Sequence, residues 1–235
     1  MTIAVDLQHI TKIYSTGAGD QAALTDVSLT IEEGEFISIM GPSGSGKSTL
    51  MNIIGLLDRP TFGSYWLAGQ DTAVLTEREL AAFRARTIGF VFQSFNLLSR
   101  TSVLKNVILP LEYTGVPRAE RHLRAEAALK AAGLDPEIYS HKSNEISGGQ
   151  MQRVAIARSL VNDPAILLAD EPTGNLDSKT GQAVLSMFRE LNAAGRTIIL
   201  ITHDPNIARY AQRCVQIFDG RLFEGDALPA EAVSA

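Results

Sequence analysis

Gly41-Pro42-Ser43-Gly44-Ser45-Gly46-Lys47-Ser48 decides the reading of this chain. The run before it, residues 36–40 (Phe-Ile-Ser-Ile-Met), has the apolar composition of a strand, and residues 47–57 take on helical spacing. A strand that turns through glycines into a helix opening on Lys and Ser fits the phosphate-loop pattern. Glycines let backbone N–H groups converge on phosphate oxygens, and the positive end of the helix dipole faces the same anion. Lys47 is expected to neutralise the β- and γ-phosphates of a nucleoside triphosphate, and Ser48 to coordinate Mg²⁺. A plain glycine-rich strand-to-helix turn is the competing reading.

Outward from this loop, residues 5–10, 24–31 and 36–40 read as strands in hairpin order, with Glu33-Gly34 turning between the last two. Residues 64–67 and 88–92 read as strands around a charged helix at 77–86. Between 94 and 161 strand signals vanish, and 104–113, 119–132 and 150–161 have helical spacing or composition. Strands resume at 166–169, 197–201 and 214–218, with helices at 178–194 and 205–210 between them. Such alternation implies right-handed crossovers and ligands at the carboxyl ends of the strands. The expected fold is therefore α/β: a P-loop NTPase core with a largely parallel sheet, an N-terminal antiparallel β region and an inserted α-helical subdomain. Residues 1–235 form one domain in this reading, with 1–93 and 162–235 as core and 94–161 as the helical subdomain.

Composition narrows the class. The 235 residues are 45% hydrophobic and 20% charged, with 21 Lys+Arg against 26 Asp+Glu and a formal charge of -5. That is the balance of an ordinary globular chain, and it argues against disorder and against a dedicated nucleic-acid surface. The longest purely apolar runs, such as 198–201, fall far short of the roughly 20 residues that cross a bilayer. No signal peptide is visible at the N-terminus, and the single Cys214 has no internal partner, so the expected location is cytoplasmic.

A triphosphatase also needs a carboxylate at the end of a neighbouring strand. Ile166-Leu167-Leu168-Ala169-Asp170-Glu171 supplies two acids where a buried strand emerges. Asp170 is expected to bind Mg²⁺ through its water shell and Glu171, pointing the other way, to polarise the attacking water; a solvated strand end is the alternative. Asn144-Glu145-Ile146-Ser147-Gly148-Gly149-Gln150 precedes a second helix, with Ser147 as a plausible cap, and forms either a simple loop or a second anion cradle. One γ-phosphate rarely needs two cradles from one chain, so two chains would each lend the second cradle to the other's nucleotide. Gln93, at a strand end, could sense Mg²⁺ and the attacking water, and His203 stands at another strand end where a γ-phosphate would lie. Tyr14, in an early loop, could stack on adenine. Each of these three could equally be a loop or packing residue.

Together these residues resemble the ATP-binding subunit of ABC transporters over residues 7–225. In that resemblance 41–48 matches the Walker A loop, Gln93 the Q-loop, 147–150 the signature and 166–170 the Walker B strand. Glu171 then corresponds to the catalytic glutamate, Asn175-Leu176-Asp177 to the D-loop, His203 to the switch histidine and Tyr14 to the A-loop aromatic. Ile146 departs from the leucine that usually opens the signature, a similar apolar residue. Catalytic roles are implied for Glu171, His203, Gln93 and Lys47, and metal ligation for Ser48, Gln93 and Asp170. ATP contacts are implied for Tyr14, Gly41, Ser43, Gly44, Ser45, Gly46, Lys47, Ser48, Thr49, Ser147, Gly148, Gly149, Gln150 and Asp177.

Residues 90–98 and 168–177 are similar to the macrolide-exporter and lipoprotein-releasing branch. The resemblance implies a head-to-tail homodimer around two ATP molecules with Mg²⁺, peripheral to the cytoplasmic face of the inner membrane. It also implies a membrane permease of few spanning helices, with a periplasmic adaptor and outer-membrane channel as possible further partners and no nucleic acid. The short tail at 227–235 leaves open whether the membrane part is a separate subunit. An ATPase that regulates a membrane-bound cell-wall or signalling partner without transport is the alternative from another class. A soluble repair or translation ATPase would need a coiled-coil insertion or a second cassette, and a monomeric kinase leaves 147–150 unexplained.

Overall fold

The computed structural model describes residues 2–17 and 19–224; the tail at 227–235 lies outside them. The chain divides into two compact units, one of residues 1–81 and 192–235 and the other of residues 82–191.

The first unit opens with β1 (Ile3–Thr16) and β2 (Gly19–Glu32), a long antiparallel hairpin in which Leu7 faces Leu29 and Tyr14 faces Gln21. β3 (Phe36–Met40) follows the 33–34 turn but does not pair with β2, which corrects the hairpin order read from the sequence. The reason lies in burial. β2 buries one face through Leu24, Val27, Leu29 and Ile31, whereas Phe36, Ile37, Ser38 and Ile39 are all buried, the mark of a strand covered on both sides. α1 (Lys47–Ile54) stops short of the expected residue 57, because its chain reverses at Gly55 and Leu56, the latter at φ 53°. β4 (Phe62–Leu67) and β5 (Gln70–Asp71) complete a sheet of order β2-β1-β4-β5. β5 is too short and polar to have left a periodic signal. α2 (Glu77–Thr87) then leads across the unit boundary, with Glu77 and Glu79 in its first turn and Arg84 and Arg86 in its last, as the helix dipole favours.

In the second unit β6 (Ile88–Phe92) is followed by α3 (Val103–Tyr113), α4 (Arg118–Ala131) and α5 (Gly148–Leu160). The helical spacing read at 104–113, 119–132 and 150–161 corresponds to these three helices. They close on a core that includes Val103, Val107, Leu111, Ala125, Leu129, Val154 and Ala157. Each large aliphatic side chain buried in this way contributes about 1.5–3 kcal/mol. β7 (Ile166–Asp170) pairs with β6 in parallel, Phe92 opposite Asp170, and its first four residues are buried. α5 comes so close to β6 that a Cβ on Gly89 would run into the Ser159 carbonyl, so glycine is needed there. α6 (Ser178–Ala193) returns the chain to the first unit.

There β8 (Thr197–Thr202), α7 (Pro205–Ala208), β9 (Arg213–Phe218) and β10 (Arg221–Glu224) follow. β3 lies between β9 and β8 and is parallel to both, Ile39 standing opposite Ile201 on one side and Val215 on the other. β10, absent from the sequence reading, pairs antiparallel with β9. The α/β class and the largely parallel arrangement agree with expectation.

Candidate functional site

In the first unit β3 delivers the chain into the phosphate loop. Gly44 and Gly46 have φ of 80° and 107°, a region that a side chain disfavours. The loop is also clamped from outside. A Cβ on Gly46 would lie 2.8 Å from the Ala23 carbonyl of β2, one on Gly41 would run into the Ile217 carbonyl of β9, and the Gly220 N–H donates to the Ser45 carbonyl at 2.9 Å. Gly46 caps α1 with no side chain, so the first amides of that helix have no side-chain acceptor at the cap. Ser45 is buried, and its Oγ has no hydrogen-bond partner. Lys47 Nζ donates to the carbonyls of Gly41 at 2.6 Å and Pro42 at 2.7 Å. A cavity of about 350 Å³ is lined by Gly44, Gly46, Lys47, Ser48 and Thr49, by 21–23 of β2, and by Asp219 and Gly220 of the β9–β10 turn. Amides, one ammonium and hydroxyls around an uncapped helix start suit a polyphosphate.

Tyr14 lies in β1 and not in a loop, a correction to the sequence reading. The hairpin continues through polar residues that carry no apolar alternation, and backbone pairing holds Tyr14 opposite Gln21. Its hydroxyl donates to Asp58 Oδ2 at 2.9 Å. Burial, then the hydrogen bond to Asp58, push its phenol above the ordinary tyrosine value, so it stays protonated. His203 is the first residue after β8 and is exposed, while Asp204 caps α7 by accepting from the Asn206 N–H at 2.7 Å.

In the second unit Gln93 is the first residue after β6, and is exposed. Its carbonyl accepts from Asn175 Nδ2 at 2.9 Å, and a Cβ on Gly174 would stand 2.6 Å from Gln93 Nε2, so the two turns are packed together. Just beyond, Phe95 and Asn96 adopt φ of 61° and 48°. Their carbonyls accept from the Arg158 guanidinium at 2.9 and 2.5 Å, which ties this strained turn to α5. At the other end of α5 Ser147 is the N-cap. Its Oγ accepts from the Gln150 N–H at 3.3 Å, and Gln150 Oε1 accepts from the Ser147 N–H at 2.8 Å. Gly148 and Gly149 open the helix, and a Cβ on Gly149 would meet Thr180 Cγ2 at 2.5 Å.

Asp170 ends β7, and Glu171 follows at φ 44°. Strand alternation therefore stops at Asp170, and the opposed directions inferred for the two acids have no basis in the strand pleat. Asp177 starts α6: Oδ1 accepts from the amides of Lys179 and Thr180, and Oδ2 from the Thr180 hydroxyl at 2.6 Å. Among the described residues no group of three or more His, Cys, Asp or Glu could hold a metal ion. The donors named for Mg²⁺ suit that ion nonetheless, because it keeps waters and uses one or two protein oxygens beside substrate phosphates. Arg158, Asp58 and Lys12 escaped the sequence reading. Arg158 left one faint signal, an arginine among the apolar residues of a helix; Asp58 and Lys12 left none.

Comparison with known proteins points to one family. A family model described as "ABC transporter" matches residues 24–174. Over 218 residues the chain is 52% identical to the Uncharacterized ABC transporter ATP-binding protein YknY of Bacillus subtilis (strain 168), covering 93% of this chain and 94% of that protein. It is 50% identical to the Macrolide export ATP-binding/permease protein MacB of Hyphomonas neptunium, covering 93% of this chain but only 34% of that protein. The dimeric post-hydrolysis structure of the ATP-binding cassette MJ0796 bound to ADP and Pi, a protein of Methanocaldococcus jannaschii, superposes with a TM-score of 0.86 at 46% identity, covering 95% of this chain and 100% of that one. The chain belongs to the ABC transporter family, as one of its ATP-binding domains.

Proposed function

We propose that this chain binds and hydrolyses ATP for a transporter of the macrolide-export or lipoprotein-releasing kind, dimerising head to tail on ATP to drive a membrane permease. The observation that carries it is the presence of two glycine-built helix starts on one chain, the uncapped one at α1 and the self-capped one at α5. The 50% identity to MacB supports the branch, and this chain spans about a third of that protein's length. No helix among the described residues is long and apolar enough to cross a membrane, which suits a peripheral place on the cytoplasmic face of the inner membrane. A periplasmic adaptor and an outer-membrane channel would complete such an export system. The helical region 94–161 is the subdomain that faces the permease in this reading.

Each residue has a defined task. Lys47 exchanges the neutral Gly41 and Pro42 carbonyls for charged phosphate oxygens, so that bonds with one ionised partner become bonds with two. Ser43, Ser45 and Thr49 add hydroxyls, and Tyr14 offers its ring to adenine. Ser48, Asp170 and Gln93 would hold Mg²⁺, which when bound would supply positive charge to the β- and γ-phosphates. Glu171 accepts the proton of the attacking water, and His203 binds the γ-phosphate. Ser147, Gly148, Gly149 and Gln150 serve the nucleotide of the other chain, and Asp177 lies at the seam between chains.

Glu171→Gln tests this. ATP binding is retained, turnover falls by roughly 10²-fold or more, and light scattering with ATP gives twice the mass of one chain. Near-normal turnover removes Glu171 from its role, and an unchanged mass overturns the dimer.

A further inference from the structure

Three side chains of the first unit meet at Tyr14. Its hydroxyl donates to Asp58 Oδ2 at 2.9 Å, and the Thr49 side chain beside it, in the first turn of α1, works to lower the phenol's pKa. Lys12 Nζ stands 4.9 Å over the ring centroid and donates to Asp58 Oδ1 at 2.6 Å and the Arg59 carbonyl at 2.8 Å. Asp58 Oδ1 accepts the Arg59 N–H as well, at 2.8 Å, so both carboxylate oxygens are engaged. The Lys12 side chain is only 12% exposed and that of Asp58 30%, whereas Tyr14 is 38% exposed. The ring is thus held by two largely covered groups while part of it stays open. Two of its neighbours, Thr49 and its strand partner Gln21, line the phosphate-loop cavity.

We propose that Asp58 and Lys12 are positioning residues for base recognition: they clamp the Tyr14 ring by its hydroxyl and one face, leaving the opposite face as a fixed platform for adenine. The inference rests on the reading of Tyr14 as the base-stacking residue. A ring already held loses little freedom when a base stacks on it, whereas a free ring forfeits part of the stacking energy to its own ordering. Lys12 is attracted to the face it covers, which leaves a single face for a ligand. Burial by itself would raise the Asp58 carboxyl. The hydrogen bonds from Lys12, Tyr14 and the Arg59 amide, with the Lys12 charge, outweigh it and hold the group below the usual carboxylate range. Asp58 therefore stays ionised and the clamp stays closed at neutral pH.

The alternative is that the Lys12–Asp58 bridge only ties β1 to the turn after α1. Calorimetric titration of the full chain with ADP and with pyrophosphate separates the two, because these probes share a diphosphate and differ by adenosine. Asp58→Asn is expected to weaken ADP binding about three- to tenfold, the equivalent of freeing one ordered side chain, and to leave pyrophosphate within about twofold. Tyr14→Phe, which keeps the ring and removes its hydroxyl, should give a loss of the same size, and the double variant no further loss. Equal losses for both probes, or no loss for either, overturn the clamp. Should Asp58→Asn fail to fold, Tyr14→Phe carries the same test by itself. Tyr14→Ala checks the reading beneath: an unchanged ratio of ADP to pyrophosphate affinity there removes the platform altogether. A ratio that falls in Tyr14→Ala but holds in Asp58→Asn leaves the platform standing and removes the clamp.

Discussion

The helix starts at α1 and α5 are both made of glycine and serine, yet they are finished differently. At α1 the cap is Gly46 at φ 107°, with no side chain to accept the first amides, and the adjoining cavity is lined by Lys47, Ser48 and Thr49. At α5 Ser147 and Gln150 already satisfy each other's backbone N–H groups. An anion arriving at α1 gains amides that no side chain caps; one arriving at α5 must displace or join an existing capping box. In the proposed function the first would be a primary site, and the second would take only an anion already presented to it. The difference would give the proposed cycle an order, nucleotide loading on the phosphate loop before closure by the partner's 147–150 turn.

The comparison can be broken from either side. Lys47→Ala should have the largest effect. Losing a charged donor to phosphate costs about 1.5–3 kcal/mol, or at least about tenfold in ATP affinity by calorimetry, and an unchanged affinity contradicts the phosphate-loop assignment. Gly46→Ala should follow, destabilising the chain by about 2 kcal/mol in denaturant unfolding, since the left-handed backbone penalises a side chain and the new Cβ meets the Ala23 carbonyl. Gly148→Ala is its counterpart at α5. That Cβ meets only Leu176 and Phe95 at ordinary contact distances, so stability should change by less than about 0.5 kcal/mol. Equal costs at the two glycines contradict the proposed contrast.

Ser147→Ala should cost about 1 kcal/mol of stability through the lost cap, and should slow ATP-dependent association while ATP affinity of the separate chain holds. The smallest effect sits at a third helix start. Asp177 caps α6, and the Thr180 hydroxyl, then the Thr180 amide, hold its carboxyl below the ordinary value. A depressed carboxylate contributes stability above its unfolded value and loses it as pH falls through the folded one. The start of α6 should therefore loosen only in acid, below the ordinary aspartate range, with proton-resolved NMR of Thr180 as the monitor. Asp177→Asn should abolish that dependence.

Much of this contrast was legible in the sequence because it rests on local chemistry. Glycines 41, 44 and 46, Lys47 and Ser48 mark one cradle, and Ser147 three residues before Gln150 spells the capping box of the other. Helices α3 to α5 announce themselves by spacing, and β3, β7 and β8 by continuous apolar runs. What escaped depends on contacts distant in sequence. Composition at 24–40 does not say that β2 and β3 enter different sheets; only burial on one face or both does. Residues 11–23 lack apolar alternation, so the outer half of the hairpin, which carries Tyr14, read as loop. Asn96 is a residue type that tolerates the left-handed backbone, but nothing near Phe95 signals it there, and the hydrogen bonds that hold the turn come from Arg158, far along the chain.

The central claim is that the two cradles on one chain serve two different nucleotides. Mixing a Lys47→Ala chain with a Ser147→Arg chain tests it most directly. Each variant alone has both composite sites broken, whereas a mixed dimer pairs the intact phosphate loop of one with the intact 147–150 turn of the other. ATP turnover that appears on mixing and is absent from either variant alone is the predicted result. A mixture no more active than the sum of its components would contradict the shared site.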